Sequence, residues 1–310
     1  MTRKGDWRES DASTFIRVVR RRSLDDDLAP SRWKHSRAMP GLWECLAYPL
    51  VDGPGLGLLV LFPPALWFLS LPVFDFIAVL EPLDKSDWAL GLLVAPVFTP
   101  MLFSFAMTFG YLLLFLGRVL VASAMGENDH PRWPEWSPAD IAEGIGRWIW
   151  AGLMGLGVGA PAAALCWSRL DRIDWFSGSA VAVLIILTAG FAQMGLAASL
   201  MLETIVAANP VTVVRAIGRI GWAYLVPTII AGVVTAATGL GIYGLLFHMP
   251  TMWMEALALW GFWVLTLYGG MVVMRMMGLT YHAHAMELFW FRRRPRWASG
   301  NRPGRIYANS

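Results

Sequence analysis

The chain has 310 residues, with 25 Lys and Arg against 22 Asp and Glu and a formal net charge of +3. Hydrophobic residues make up 56% of it and charged residues 15%, where soluble domains carry about 25% charged residues. Mean hydropathy is +0.52, and there are two cysteines. This balance excludes a disordered chain, a disulfide scaffold and a soluble globular enzyme, and it leaves an integral membrane protein.

Residues 1–40 are polar and read as a cytoplasmic arm. Within it, Phe15, Ile16, Val18 and Val19 stand beside Arg17, Arg20, Arg21 and Arg22. That pattern fits either a basic amphipathic helix on anionic lipid or a plain solvated tail. No cleavable signal is visible in the arm, so the first apolar segment is the expected insertion signal.

Six runs without Asp, Glu, Lys or Arg then follow: residues 53–74, 88–117, 148–168, 175–202, 220–254 and 256–274. Their lengths are 22, 30, 21, 28, 35 and 19 residues. A helix rises about 1.5 Å per residue and the hydrocarbon core is about 30 Å thick, so about 20 residues cross it. Each run therefore supports one crossing. The longest is too short for two crossings and a turn, and His248 and Pro250 are expected to end its helix. A transmembrane barrel needs alternating strands, which these continuous Leu-, Ala- and Gly-rich runs do not offer.

Six crossings put both termini on one side. That side carries 22 of the Lys and Arg residues, and the opposite loops carry 3. The positive-inside rule then places both termini in the cytoplasm of a bacterial inner membrane. Trp88, Trp148, Trp150, Trp175, Trp222 and Trp253 near run starts, and Trp167 at a run end, fit an interfacial indole belt. Cys45 and Cys166 fall in different environments, so no bridge between them is expected.

Residues 137–153 and 209–225 match at 7 of 17 positions with an offset of 72. In each copy an N-cap residue, Ser137 or Asn209, precedes a proline suited to the first helical position. Polar residues then gather on one helical face: Asp140, Glu143 and Arg147, or Thr212, Arg215 and Arg219. A degenerate third copy begins at Pro40, with Trp43, Leu46, Ala47 and Leu50 as its apolar stripe. The expected fold class is an all-α integral membrane protein. Its six transmembrane helices form three hairpins, each preceded by a cytoplasmic interfacial amphipathic helix. The expected domains are the arm, residues 1–40, the six-helix transmembrane domain, residues 41–291, and a basic cytoplasmic tail, residues 292–310. That tail opens with Arg292, Arg293, Arg294 and Arg296, expected to meet anionic headgroups rather than nucleic acid.

The run Pro131-Arg132-Trp133-Pro134-Glu135-Trp136 follows a helix containing Gly110-Tyr111 and leads into the Ser-Pro helix. Together with Asn209-Pro210, Arg215, Arg219 and the His-containing segment 281–290, it resembles an uncharacterised family of bacterial multi-pass membrane proteins. The resemblance spans about residues 40–291. It implies a helical membrane domain of unknown function and brings no catalytic residues.

An ionisable side chain at mid-membrane would mark function, because it is costly there. None occurs at the run centres, and Arg118, Glu203 and Arg275 fall near cytoplasmic ends, where arginines can snorkel. His282, His284 and Glu287 are the only cluster of metal-type ligands, but His282 points roughly 160° away from His284 on a helix. No phosphate-binding glycine loop or nucleophile elbow appears. Gly155 and Gly159 are spaced for close helix packing, within the chain or between copies. The expected reading has no catalytic, cofactor or metal site and no cofactor. It is a non-enzymatic scaffold or accessory membrane subunit with a possible membrane or cytoplasmic protein partner. The alternative is a permease or flippase-like carrier of an apolar or zwitterionic solute, using backbone freed at Pro63, Pro64, Pro96, Pro100 and Pro161. A membrane enzyme would need a cytoplasmic site near Glu135, Asp140, Glu143 and His282.

Overall fold

The computed structural model describes residues 41–51, 53–80, 88–126, 131, 133–167, 175–247, 252–288 and 290. The arm at 1–40 and the basic cluster at 292–296 lie outside the described residues. The described residues are helical, joined by turns, with no strand among them. In chain order the α-helices are α1 (Leu42–Val51), α2 (Gly53–Leu80), α3 (Trp88–Ala124), α4 (Pro138–Trp167), α5 (Trp175–Met201), α6 (Pro210–Ile220), α7 (Leu225–Phe247) and α8 (Met252–Leu288).

Among the described residues, five stretches are long and apolar enough to cross a membrane: Gly53–Leu71, Thr99–Ala124, Ser179–Met201, Pro210–Leu245 and Ala256–Ala285. The sequence predicts six. Residues 148–167 of the third run form the second half of α4, a continuous 30-residue helix that is not among the five. The predicted break between an interfacial helix and a crossing is also missing there, since α4 runs unbroken from Pro138. After α6 the chain does break: Gly221 takes a positive φ of 64° and a 3-10 turn, Gly221–Tyr224, separates α6 from α7.

α4 and α6 do start alike. The Ser137 hydroxyl accepts from the Asp140 amide (3.4 Å), and the Asn209 side chain accepts from the Thr212 amide (2.8 Å). A capped first turn with proline at its head satisfies amides that a helix start leaves open.

The long helices form a ring, α2–α3–α4–α5–α7–α8, with α3 and α8 also packed against each other across it. Glycines close the seams. A Cβ on Gly155 would lie 2.8 Å from that of Ala192, and one on Gly232 would lie 2.8 Å from the Ile186 Cα. Gly155 with Ala192, and Gly159 with Thr188, set α4 antiparallel to α5. Gly190 with Thr228, and Gly232 with Ile186, do the same for α5 and α7. Gly270 against Leu116 and Gly278 against Ser123 make α3 and α8 parallel. Small residues allow such approach, and dispersion then replaces the hydrophobic drive that lipid cannot supply.

Burial concentrates at one end of the ring. There the second halves of α3 (112–124), α5 (189–201) and α8 (271–281) are almost wholly enclosed. α1 and α6 lie against that end, α1 on α8 and α6 on α5 and α8.

Candidate functional site

The enclosed end also gathers the buried arginines. Arg275, on α8, is 3% exposed. Its Nη1 donates to the Ser123 hydroxyl on α3 (3.1 Å), Nη2 lies 3.9 Å from a Glu44 carboxylate oxygen on α1, and the guanidinium sits 4.8 Å from the centre of the Tyr48 ring. One side chain thus ties three helices together. A buried guanidinium needs this kind of surround, because desolvation costs more than a single distant partner returns.

α1 is held by two further contacts. The Tyr268 hydroxyl donates to the Leu46 carbonyl (2.7 Å), and Cys45 is fully enclosed against Val272 and Met276. Burial pushes the Cys45 thiol up to about 11; nearby Arg275 pulls it down and Glu44 adds to the rise. Such a thiol stays protonated and unreactive at neutral pH. Burial likewise raises the Tyr48 phenol above its usual range, with Arg275 opposing.

Arg118 performs the same service one seam away. Its Nη1 donates to the Trp133 carbonyl (3.3 Å), while the Tyr111 hydroxyl donates to the Pro134 carbonyl (2.8 Å). Trp133 stacks on Phe115 (4.8 Å between ring centres) and Phe62 (5.6 Å). Tyr111, Phe115 and Arg118 follow a helical stripe, so the Pro-Trp segment is latched along one face of α3. Arg147, 4% exposed, pairs with Glu143 one turn back. Arg219 donates to the Glu287 and Leu288 carbonyls (3.4 and 3.3 Å) at the end of α8, where a cation suits the helix dipole.

These positions correct the snorkelling expected for Arg118 and Arg275. Neither simply extends to the aqueous boundary: Arg275 turns inward to α3 and α1, and Arg118 turns to the Trp133 backbone. The expected indole belt also divides. The Trp148 indole donates to the Leu113 carbonyl (3.2 Å), whereas Trp150 and Trp222 are exposed. The side chains of Trp88, Trp167, Trp175 and Trp253 lie outside the described residues. On α1, Trp43, Ala47 and Leu50 of the expected apolar stripe face outward, and Cys45 and Pro49 form the buried side.

The remaining candidates do not assemble a reaction centre. His282 Nδ1 lies 3.1 Å from the Ala124 carbonyl and His284 Nδ1 lies 3.0 Å from the Thr280 carbonyl. A carbonyl only accepts, so each Nδ1 carries the proton. The His282 ring fills the space over Gly126, which has a φ of 69°, and any side chain there would collide with it. Glu287 is exposed, and among the described residues no three His, Cys, Asp or Glu side chains are placed to hold a metal. Glu143 is occupied by Arg147, and Glu135 and Asp140 are exposed. Of the prolines, Pro63 is buried and Pro64, Pro96 and Pro100 are exposed; the side chain of Pro161 lies outside the described residues.

What fold and site define is an all-helical chain whose five long apolar helices suggest a membrane-embedded, multi-pass protein. No protein family, curated protein or solved structure matches the chain.

Proposed function

We propose that the chain is a non-enzymatic scaffold or accessory subunit of a bacterial inner membrane. In this reading α4 is a sixth crossing, both termini are cytoplasmic, and α1 and α6 lie in the cytoplasmic interface ahead of the first and fifth crossings. The 22-to-3 division of Lys and Arg supports the orientation. The resemblance of residues 40–291 to multi-pass bacterial membrane proteins is part of the same proposal.

The observation that carries the scaffold reading is the use of the enclosed and half-enclosed arginines. Buried Arg275 is bound to a hydroxyl and faces a carboxylate on two other helices, half-buried Arg118 is bound to the Trp133 carbonyl, and buried Arg147 is paired with Glu143 within α4. Residues spent in this way make a rigid cytoplasmic end suited to holding something else. The exposed Pro64, Pro96 and Pro100 give the carrier alternative no comparable support.

The test is crosslinking in intact cells followed by quantitative mass spectrometry of the tagged full-length chain. A membrane or cytoplasmic protein recovered at fixed stoichiometry is the expected result. Recovery of the chain alone, after efficient crosslinking, overturns the scaffold reading. Terminal tags reporting opposite faces overturn the topology.

A further inference from the structure

α6 is divided lengthwise. Val213, Ala216 and Ile220 are buried, with Val213 against Gly195 of α5. At 100° per residue the exposed half splits again: Val211, Val214 and Gly218 form an apolar flank, and Arg215 and Arg219 form a cationic one. Where the helix breaks at Gly221, the next residue, Trp222, is 88% exposed, the most exposed of the large hydrophobic side chains described. Trp222 follows Arg219 by three residues, across that break. Leu225, Val226, Ile229 and Val233 carry the exposed apolar surface onward along α7.

Along this stretch of the chain the charge is one-sided. Between Glu203 and Glu255 the sequence contains no Asp or Glu, and Arg215 and Arg219 are its only charged residues there. Two exposed acids lie outside that stretch: Glu203, in the connection after α5, and Glu287 of α8, whose carbonyl accepts from Arg219. Arg219 is partly engaged by the α8 carbonyls, which leaves Arg215 as the outward cation.

We propose that this surface binds an anionic phospholipid of the cytoplasmic leaflet. The phosphate sits at Arg215 with Arg219 beside it, the Trp222 indole sits at glycerol level, and the acyl chains run along the exposed face of α7. The proposal rests on the membrane reading above. An acidic protein would match the arginines but not the apolar surface that continues from Val211 to Val233. Lipid matches both, since guanidinium meets phosphate and an indole prefers the half-wet headgroup zone.

The test uses the full-length protein in mild detergent, offered equal phosphatidylglycerol and phosphatidylcholine, with retained lipid read by native mass spectrometry. The wild type is expected to prefer phosphatidylglycerol. Arg215→Gln should lower that preference about fivefold, the scale of one surface cation near anionic lipid. Arg215→Lys should keep it, and Trp222→Ala should reduce retention of both lipids alike. An unchanged preference in Arg215→Gln overturns the proposal. So does displacement of the lipid by inorganic phosphate, which would mark a free-anion site, or retention of neither lipid by a wild type that instead captures an acidic peptide. Failure of the membrane reading shows separately, as a chain that fractionates as soluble without detergent.

Discussion

Gly278 gives the sharpest test of how the bundle is closed. It lies where α8 crosses α3, and a Cβ there would stand 3.0 Å from the Ala124 nitrogen and closer still to the Leu120 carbonyl and Ser123 Cβ. Two of these three are backbone atoms, so the strain cannot be relieved by turning a side chain. Gly278→Ala must move the helices apart by about 1 Å, a gap that forfeits a quarter to a half of each facing dispersion contact. For a seam with the contact shell of one buried leucine, about 40–60 atom pairs, the loss is about 3 kcal/mol, at the upper end of overpacking costs. At about 2–4 °C per kcal/mol, the thermal midpoint of the full-length protein in detergent should fall by about 6–12 °C. Gly157, on α4, is the control, since a Cβ there meets nothing within 4 Å. Gly157→Ala should leave the midpoint unchanged or raise it, because alanine suits a helix better. Equal effects of the two substitutions would refute the claim that α3 and α8 meet at backbone distance.

Trp133→Ala should cost about 3–5 kcal/mol, toward the lower end because the indole is half-buried, and thermal unfolding of the detergent-solubilised protein reads it. Arg219→Gln leaves the last α8 carbonyls without their cation, and faster amide exchange at residues 285–288 should report it while the midpoint barely moves. Cys45 predicts a pH dependence with a definite sign. Its ordinary value of 9.0 is raised to about 11 in the folded chain, so between those values the unfolded state binds fewer protons. Stability is therefore complete below about pH 9 and declines as pH rises toward about 11. The wild-type midpoint should fall more steeply over that range than that of Cys45→Ala.

Much of the scaffold was legible because its signals are local. Run lengths mark the apolar helices, Ser137 and Asn209 mark two helix starts, and Gly155 with Gly159 marks a close approach that proves internal, onto Thr188 and Ala192 of α5. What escaped depends on direction around a helix rather than position along it. A run ends at its first arginine, so the last one closes at Met274, although α8 continues through Arg275 to Leu288. The next residue then reads as a boundary, when it is a junction. The same limit applies to Trp148, whose place at a run edge does not reveal that its N–H meets a carbonyl of α3. The 111–115–118 stripe facing Trp133 was present in the spacing, but only the returning Pro-Trp segment gives it a partner.

The value of Arg275 to the molecule is better measured by what it positions than by what it stabilises. α8 runs from Met252 to a kink at His284, a rise of about 48 Å and well beyond a hydrocarbon core of about 30 Å, and Arg275 sits in its enclosed second half. There a buried charge with imperfect partners is close to energetically neutral against an apolar residue of similar size, whereas removing one partner alone is costly. Ser123→Ala should therefore destabilise by about 1.5–3 kcal/mol, the worth of a hydrogen bond to a charged group. Arg275→Met removes charge and demand together and should leave the midpoint near that of the wild type. It should still free α1, which loses its Glu44 and Tyr48 contacts and keeps the Tyr268 bond to Leu46. Cys45, enclosed in the wild type, then becomes open to maleimide at neutral pH in a Cys166→Ser background. If Arg275→Met leaves Cys45 as protected as before, the arginine is not what sets α1 in place, and if it unfolds the protein, the claim that the buried charge is energetically neutral fails.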